Sequence, residues 1–233
     1  MTDLPQRHIL PVEPSALFER LPGLGKLMMF TTNAHVTHER IGRVETVEEA
    51  GGWTLFKGHA HDSRIRLAAV RQIVVDRSRS MGEKSYPRIE LNGDHGEIAC
   101  IVGFEGLEPF DQALDGLPVG ESVEQRETIF NTMPRDQNVD PNEPGFLPLE
   151  QARRDSVQAV LEIAHEDFRQ RWTGMIPELR VSLGFINIIE PDFHLHMRGG
   201  SIARWDSATV DGASRFSAVG RDGSDLGFSV TLG

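Results

Sequence analysis

Cysteine is all but missing from this chain of 233 residues: Cys100 is the only one, so no internal disulfide can form and CxxC or cysteine-rich metal and redox motifs are excluded. Cys100 stands in the apolar run Ile98-Ala99-Cys100-Ile101-Val102, where a thiol packs as a small hydrophobe rather than acting as a nucleophile. Basic charge is also short. Lys and Arg number 24 against 35 Asp and Glu, giving a formal charge of -11 and a pI near 5.3, which opposes nonspecific attraction to nucleic acid or to an anionic membrane surface. Any anionic ligand must therefore meet a local basic spot. No apolar run approaches the roughly 20 residues of a membrane span. The opening Met-Thr-Asp-Leu-Pro-Gln-Arg-His lacks the basic and apolar regions of a secretion signal. A cytoplasmic protein is expected, with no nucleic-acid partner and no membrane insertion. Nucleotide chemistry finds no support either, because neither a GxGxxG after a strand nor a Walker loop occurs, and there is no G-x-S-x-G elbow.

What is present suits a packed core: 39% of residues are apolar and 25% charged, an ordinary globular balance at a length that fits one large or two small domains. Pro5, Pro11 and Pro14 make the first residues an extended arm before a helix predicted over 15–21. Strand and turn texture follows from Thr31. Residues 43–47 and 53–57 flank a hairpin loop at 48–52, and further strands are expected at 63–67 and 72–77. Residues 88–91 and 97–104 bracket the turn Asn92-Gly93-Asp94-His95-Gly96, where Asn-Gly is a turn signal because both residues tolerate positive φ. A short helix is expected at 108–114. Residues 131–148 hold four prolines and little periodicity, which marks a linker. After helical composition at 149–160, strand texture returns at 180–189, 194–198, 214–219 and 227–232. The division expected is 1–117, a linker over 118–148, and 149–233.

The order of elements repeats. His59-Ala60-His61-Asp62-Ser63-Arg64-Ile65-Arg66-Leu67 overlays Ile189-Glu190-Pro191-Asp192-Phe193-His194-Leu195-His196-Met197. Each alternates polar and apolar side chains, so each strand has one face of each kind. The fold class expected is α+β, two repeated antiparallel β units with a few flanking helices and a pseudo-two-fold relation. Nine histidines stand out beside one cysteine, since neutral imidazole ligates haem iron and divalent metals. His59 with His61, and His194 with His196, form HxH pairs on strands; the sequence names no carboxylate to complete a metal site with them. Arg64 and Arg66 lie on the polar face of their strand, where a charge-assisted hydrogen bond to a carboxylate contributes roughly 1.5 to 3 kcal/mol when buried.

Leu21-Pro22-Gly23-Leu24-Gly25-Lys26-Leu27-Met28, followed by Asn33-Ala34-His35-Val36-Thr37-His38-Glu39-Arg40-Ile41-Gly42, resembles the first repeat of the HemS/ChuS/ChuX-type haem-utilisation (hemin-degrading) family. That repeat carries an LPxLGxVM stretch and then RNxxxVHExxG. Phe185-Ile186-Asn187-Ile188-Ile189-Glu190-Pro191-Asp192-Phe193-His194-Leu195-His196-Met197-Arg198 resembles the family's WLNxxDPDFxLHLR. The resemblance implies paired antiparallel sheets that bind haem as ligand or substrate in bacterial haem-iron utilisation, carrying it or helping to degrade it. Arg66 falls on the family's haem-contacting arginine, and His38 or His196 could ligate the iron. If the chain is an enzyme, haem breakdown would need an external reductase; a homodimer is open. Where the family has a basic RKPT stretch, this chain has Asp206-Ser207-Ala208-Thr209. Alternatives are a divergent member without haem, acting as a regulatory or interaction module, and an HxH metal-binding β protein.

Overall fold

The structure, a computed structural model, describes residues 4–124 and 139–233. The middle of the expected linker, 125–138, lies outside the described residues. By contacts the chain forms two units. The first runs to Thr31 and resumes from Arg40; the second takes Thr32–Glu39 together with the described residues from Val139 onward.

The N-terminal half holds β1 (Arg7–Ile9), α1 (Pro14–Phe18), a 3-10 turn at Leu21–Leu24, β2 (Leu27–Thr32), β3 (Val36–Gly42), β4 (Thr46–Ala50), β5 (Trp53–Gly58) and β6 (His61–Arg66). Then come β7 (Gln72–Asp76), the small hairpin β8 (Ser80–Met81) and β9 (Lys84–Ser85), β10 (Arg88–Gly93), β11 (Gly96–Gly103) and α2 (Leu107–Ala113). The C-terminal half holds α3 (Leu147–Asp155), β12 (Ala159–His165), β13 (Phe168–Gly174), β14 (Arg180–Ser182), β15 (Phe185–Glu190), β16 (Phe193–Arg198), β17 (Arg204–Val210), β18 (Ala213–Val219) and β19 (Asp225–Leu232).

The α+β reading with two repeated antiparallel units holds. In the first unit strands pair in the order β1-β7-β10-β11-β2 and β4-β5-β6; in the second they pair as β17-β18-β19-β12-β13 and β14-β15-β16. Leu27 corresponds to Ala159, Val36 to Phe168, Trp53 to Phe185, His61 to Phe193 and Gln72 to Arg204, one constant offset. That offset differs by two residues from the overlay of the HxH segments, which leaves every side chain on the same face because the strand period is two. Arg66 then corresponds to Arg198, and each faces an aromatic across its hairpin, Trp53 and Phe185.

Several local expectations change. The supposed extended arm contributes β1, paired with β7. The helix expected to start the chain is split, α1 ending before Pro22 forces the tighter turn. Within the expected turn segment 92–96, Asn92 and Gly93 belong to β10, and the turn itself falls on Asp94-His95 with Gly96 at φ 120. Gly93 is small for another reason: a Cβ there would lie 2.9 Å from the Ile98 Cδ1. The helix expected over 149–160 stops at Asp155, where Ser156 turns left-handed at φ 52, and β-branched Val157 leads into β12, which contains Val160 and pairs with β13 and β19. No helix among the described residues is long and apolar enough to cross a membrane.

Each unit has its own apolar interior. In the first, Phe18 meets Phe56 edge-on at 5.0 Å beside Leu17, Ile65 and Ile101. In the second, Trp172 stacks on Phe193 at 4.5 Å among Leu161, Ile188, Leu195 and Phe228.

Candidate functional site

β16 alternates as its sequence dictates. Phe193, Leu195 and Met197 are buried, and His194, His196 and Arg198 take the other face. Across the hairpin His196 pairs with Asn187. The Asn187 Nδ2 donates to the carbonyls of Arg180 and Phe185, each at 3.0 Å, which turns its Oδ1 toward the His196 Nδ1 at 2.7 Å. Since Oδ1 can only accept, Nδ1 carries the proton and the Nε2 lone pair is left exposed to its surroundings.

Those surroundings include Glu39 on β3. Its Oε2 lies 3.0 Å from the His194 Nδ1 and its Oε1 3.9 Å from the His196 Nε2. The two histidine rings stand edge to face, 6.0 Å between centroids. One ligand atom from each of the three residues lies within 4.8 Å of the others. Burial lowers the pKa of His196 and the neighbouring His194 adds to this, while the Glu39 charge opposes it.

His38 is placed differently. It is fully buried, with Nε2 donating to the Leu161 carbonyl at 3.2 Å and Nδ1 against the Gln170 Oε1 at 3.0 Å. Its ring packs 4.8 Å from that of Phe193. Both nitrogens are thus engaged inside the second unit's core. By the constant offset His38 and Gln170 are equivalent positions in the two repeats.

Arg66 belongs to the first unit. Its guanidinium carbon lies 4.4 Å from the centre of the Trp53 ring, with that of Arg64 at 5.0 Å, so the indole fixes the orientation of both cations. Arg66 is exposed, and among the described residues no carboxylate pairs with it. Trp53 also lines a cavity of about 290 Å³ with Glu49, Gly51, Gly52 and Leu67. The first HxH pair does not come together as a site. His59 is exposed, whereas His61 is buried with Nε2 on the Gly42 carbonyl at 3.3 Å. Desolvation, with Arg40 adding to it, pulls the His61 pKa down to about 4.

The structure therefore gathers His194 and His196 with Glu39 in the second unit, keeps His38 in that unit's interior, and leaves Arg66 on the first. Glu39 and Asn187 were missed from the sequence. Strand alternation carried a signal for Glu39, because Val36, His38 and Arg40 take one face and Thr37 and Glu39 the other.

Residues 8–102 match the family described as Haem utilisation ChuX/HutX. No curated protein matches the chain by sequence. Among solved structures, apo-PhuS, a heme-binding protein from Pseudomonas aeruginosa, superposes with a TM-score of 0.75 at 18% identity, over 98% of this chain and 82% of that one. ChuS, a heme degrading enzyme from Escherichia coli O157:H7, superposes with a TM-score of 0.77 at 16% identity, over 98% and 81% of the two chains. Residues 8–102 are thus similar to the haem utilisation ChuX/HutX family, and along its length the chain shares the fold of PhuS and ChuS.

Proposed function

We propose that this is a cytosolic haem-binding protein of haem-iron utilisation, carrying haem or helping to degrade it. The observation that carries the reading is the family match over residues 8–102; the fold held in common with a heme-binding and a heme degrading protein supports it. Arg66 is our candidate for a propionate contact or distal-pocket residue. Its exposed, indole-held guanidinium offers the local basic spot that a chain of charge -11 needs for an anionic ligand. Of the two histidines considered as iron ligand, His196 is the one with a ring nitrogen that no hydrogen bond takes up. His38 would have to surrender two buried bonds, so we assign it a structural role.

Titrating the purified protein with hemin tests this. A saturable Soret shift is expected, with Arg66→Ala weakening affinity about tenfold, the value of one charge-assisted hydrogen bond. A ligating His196 would show as a changed Soret position in His196→Ala. No shift in the wild type rejects haem binding. Breakdown would draw electrons from an external reductase, because the sequence holds no nucleotide loop; loss of the Soret band under air with reductant separates breakdown from carriage. Sedimentation of the loaded protein reads whether it pairs with a second copy.

A divergent member that has lost haem and serves as an interaction module is the second reading. It is favoured by β17, where the family's basic stretch gives way to Asp206-Ser207-Ala208-Thr209 and Asp206 holds Arg204 through Nε at 2.9 Å and Nη2 at 3.2 Å. The same titration decides between the two.

A further inference from the structure

We propose that Glu39, His194 and His196 form a binding site for one divalent first-row transition-metal ion, with Asn187 as the residue that presents His196. The argument rests on a hydrogen-bond chain with a definite direction. Asn187 gives both amide protons to backbone carbonyls and accepts the His196 Nδ1 proton on its oxygen. The His196 Nε2 is then a lone pair, and it faces a carboxylate oxygen 3.9 Å away. Two electron-rich atoms so placed repel unless a cation stands between them.

A simple ion pair accounts for only part of this. His194 donating from Nδ1 to the Glu39 Oε2 explains one contact at 3.0 Å and leaves the His196 Nε2 turned toward the other oxygen without a proton. A metal ion accounts for all three side chains at once. Nitrogen and carboxylate donors sit about 2.0 to 2.2 Å from zinc, so donors sharing one ion stand about 3 to 4 Å from each other; the two imidazole-to-carboxylate distances, 3.0 and 3.9 Å, are of that size, and one ligand atom from each residue lies within 4.8 Å of the others. An oxygen acceptor holding the far N–H of a ligand imidazole, as the Asn187 Oδ1 holds the His196 Nδ1, is the usual outer layer of such sites and fixes the tautomer and ring orientation.

The donor set also indicates the ion. Two imidazoles and a carboxylate, with no thiolate, suit Zn(II), Fe(II), Co(II) or Ni(II) rather than Cu(I) or an iron–sulfur cluster. Three protein ligands leave at least one position for water or a small anion. All three are only partly buried, with side-chain exposures of 28% for His194, 32% for His196 and 16% for Glu39, so an ion can enter from solvent. The β16 histidines come from one strand by alternation, whereas Glu39 arrives on β3; the site exists only because Thr32–Glu39 joins the second unit.

The inference stands apart from the haem reading. Should His196 also meet haem iron, the two ions would compete for the same lone pair. The test uses tag-free full-length protein stripped with chelator and titrated with zinc chloride by calorimetry, then with Co(II) followed in the visible. One ion per chain is expected, with cobalt d–d bands of a four- or five-coordinate site. Glu39→Gln, which is isosteric, and His194→Ala should each weaken zinc binding at least 100-fold, and Asn187→Ala by 10- to 100-fold, with circular dichroism showing each variant folded. Absence of saturable binding in the wild type, or undiminished binding in folded Glu39→Gln and His194→Ala, overturns the site. A hemin titration of Glu39→Gln keeps the two readings apart: haem binding retained there while zinc binding is lost separates the metal site from haem.

Discussion

A buried histidine is a residue whose charge the fold must refuse, and His61 shows the cost. It is 3% exposed with a pKa pulled from 6.5 to about 4 by desolvation. The folded state holds the ring neutral while the unfolded state takes up a proton below pH 6.5. Stability from this group is therefore fully present above that pH, declines between 6.5 and 4, and is gone below, a loss of up to roughly 3 kcal/mol. Urea unfolding at stepped pH should show wild type losing this increment relative to His61→Gln across that window; parallel pH profiles would remove the assignment. His38 makes a different prediction. Its replacement by Ala removes the bonds to the Leu161 carbonyl and the Gln170 side chain and opens a cavity beside Phe193, costing about 2 to 4 kcal/mol in chemical denaturation. Much of this was legible in single strands: alternation placed Arg66 and His196 on polar faces. Alternation also gave the face of Glu39, but not its partners or those of Asn187, which lie on other strands and are brought together only by pairing.

At the level of elements, glycine shows why turn signals mislead. Gly51 and Gly52 form the β4–β5 turn at φ 58 and φ 79, and a Cβ at Gly51 would meet nothing within 4 Å. Gly51→Ala should thus cost only the left-handed strain of about 1 to 2 kcal/mol. Gly227, inside β19, combines φ 65 with the Ala164 carbonyl oxygen 2.3 Å from any added Cβ. Gly227→Ala should cost at least about 3 kcal/mol, because backbone must move as well. Comparable midpoints for the two variants in urea would contradict that account. Asn92-Gly93 gives the converse case, a strong dipeptide drawn into β10 while its neighbours Asp94 and His95 make the turn. The α3 boundary was likewise hard to read locally: the helix ends at the left-handed Ser156, and from Ala159 pairing with β19 decides for strand.

For the whole molecule, the repeat was readable as order and spacing, and the constant offset from Leu27 to Ala159 and Trp53 to Phe185 expresses it residue by residue. What order could not reveal is the crossing of Thr32–Glu39 into the second unit. There the Asn33 side chain donates to the Leu226 carbonyl at 2.8 Å, the His35 carbonyl accepts from the Arg198 N–H at 2.8 Å, and Val36 is part of the apolar interior. A fragment of residues 139–233 should consequently fail to give dispersed amide resonances on its own, and a peptide spanning residues 27–44 added in trans should restore them. A well-dispersed spectrum from the fragment alone would show the segment to be dispensable.

The crossing segment also has a consequence for timing. Thr32–Glu39 leaves the ribosome long before β16 and β19 exist, and at roughly 5 to 20 residues per second the wait is on the order of ten seconds. Through that interval the nascent chain displays an unmatched β edge bearing Val36, and only the last strands to be translated can cover it. Synthesis should be the stage at which this protein is most dependent on a holding chaperone.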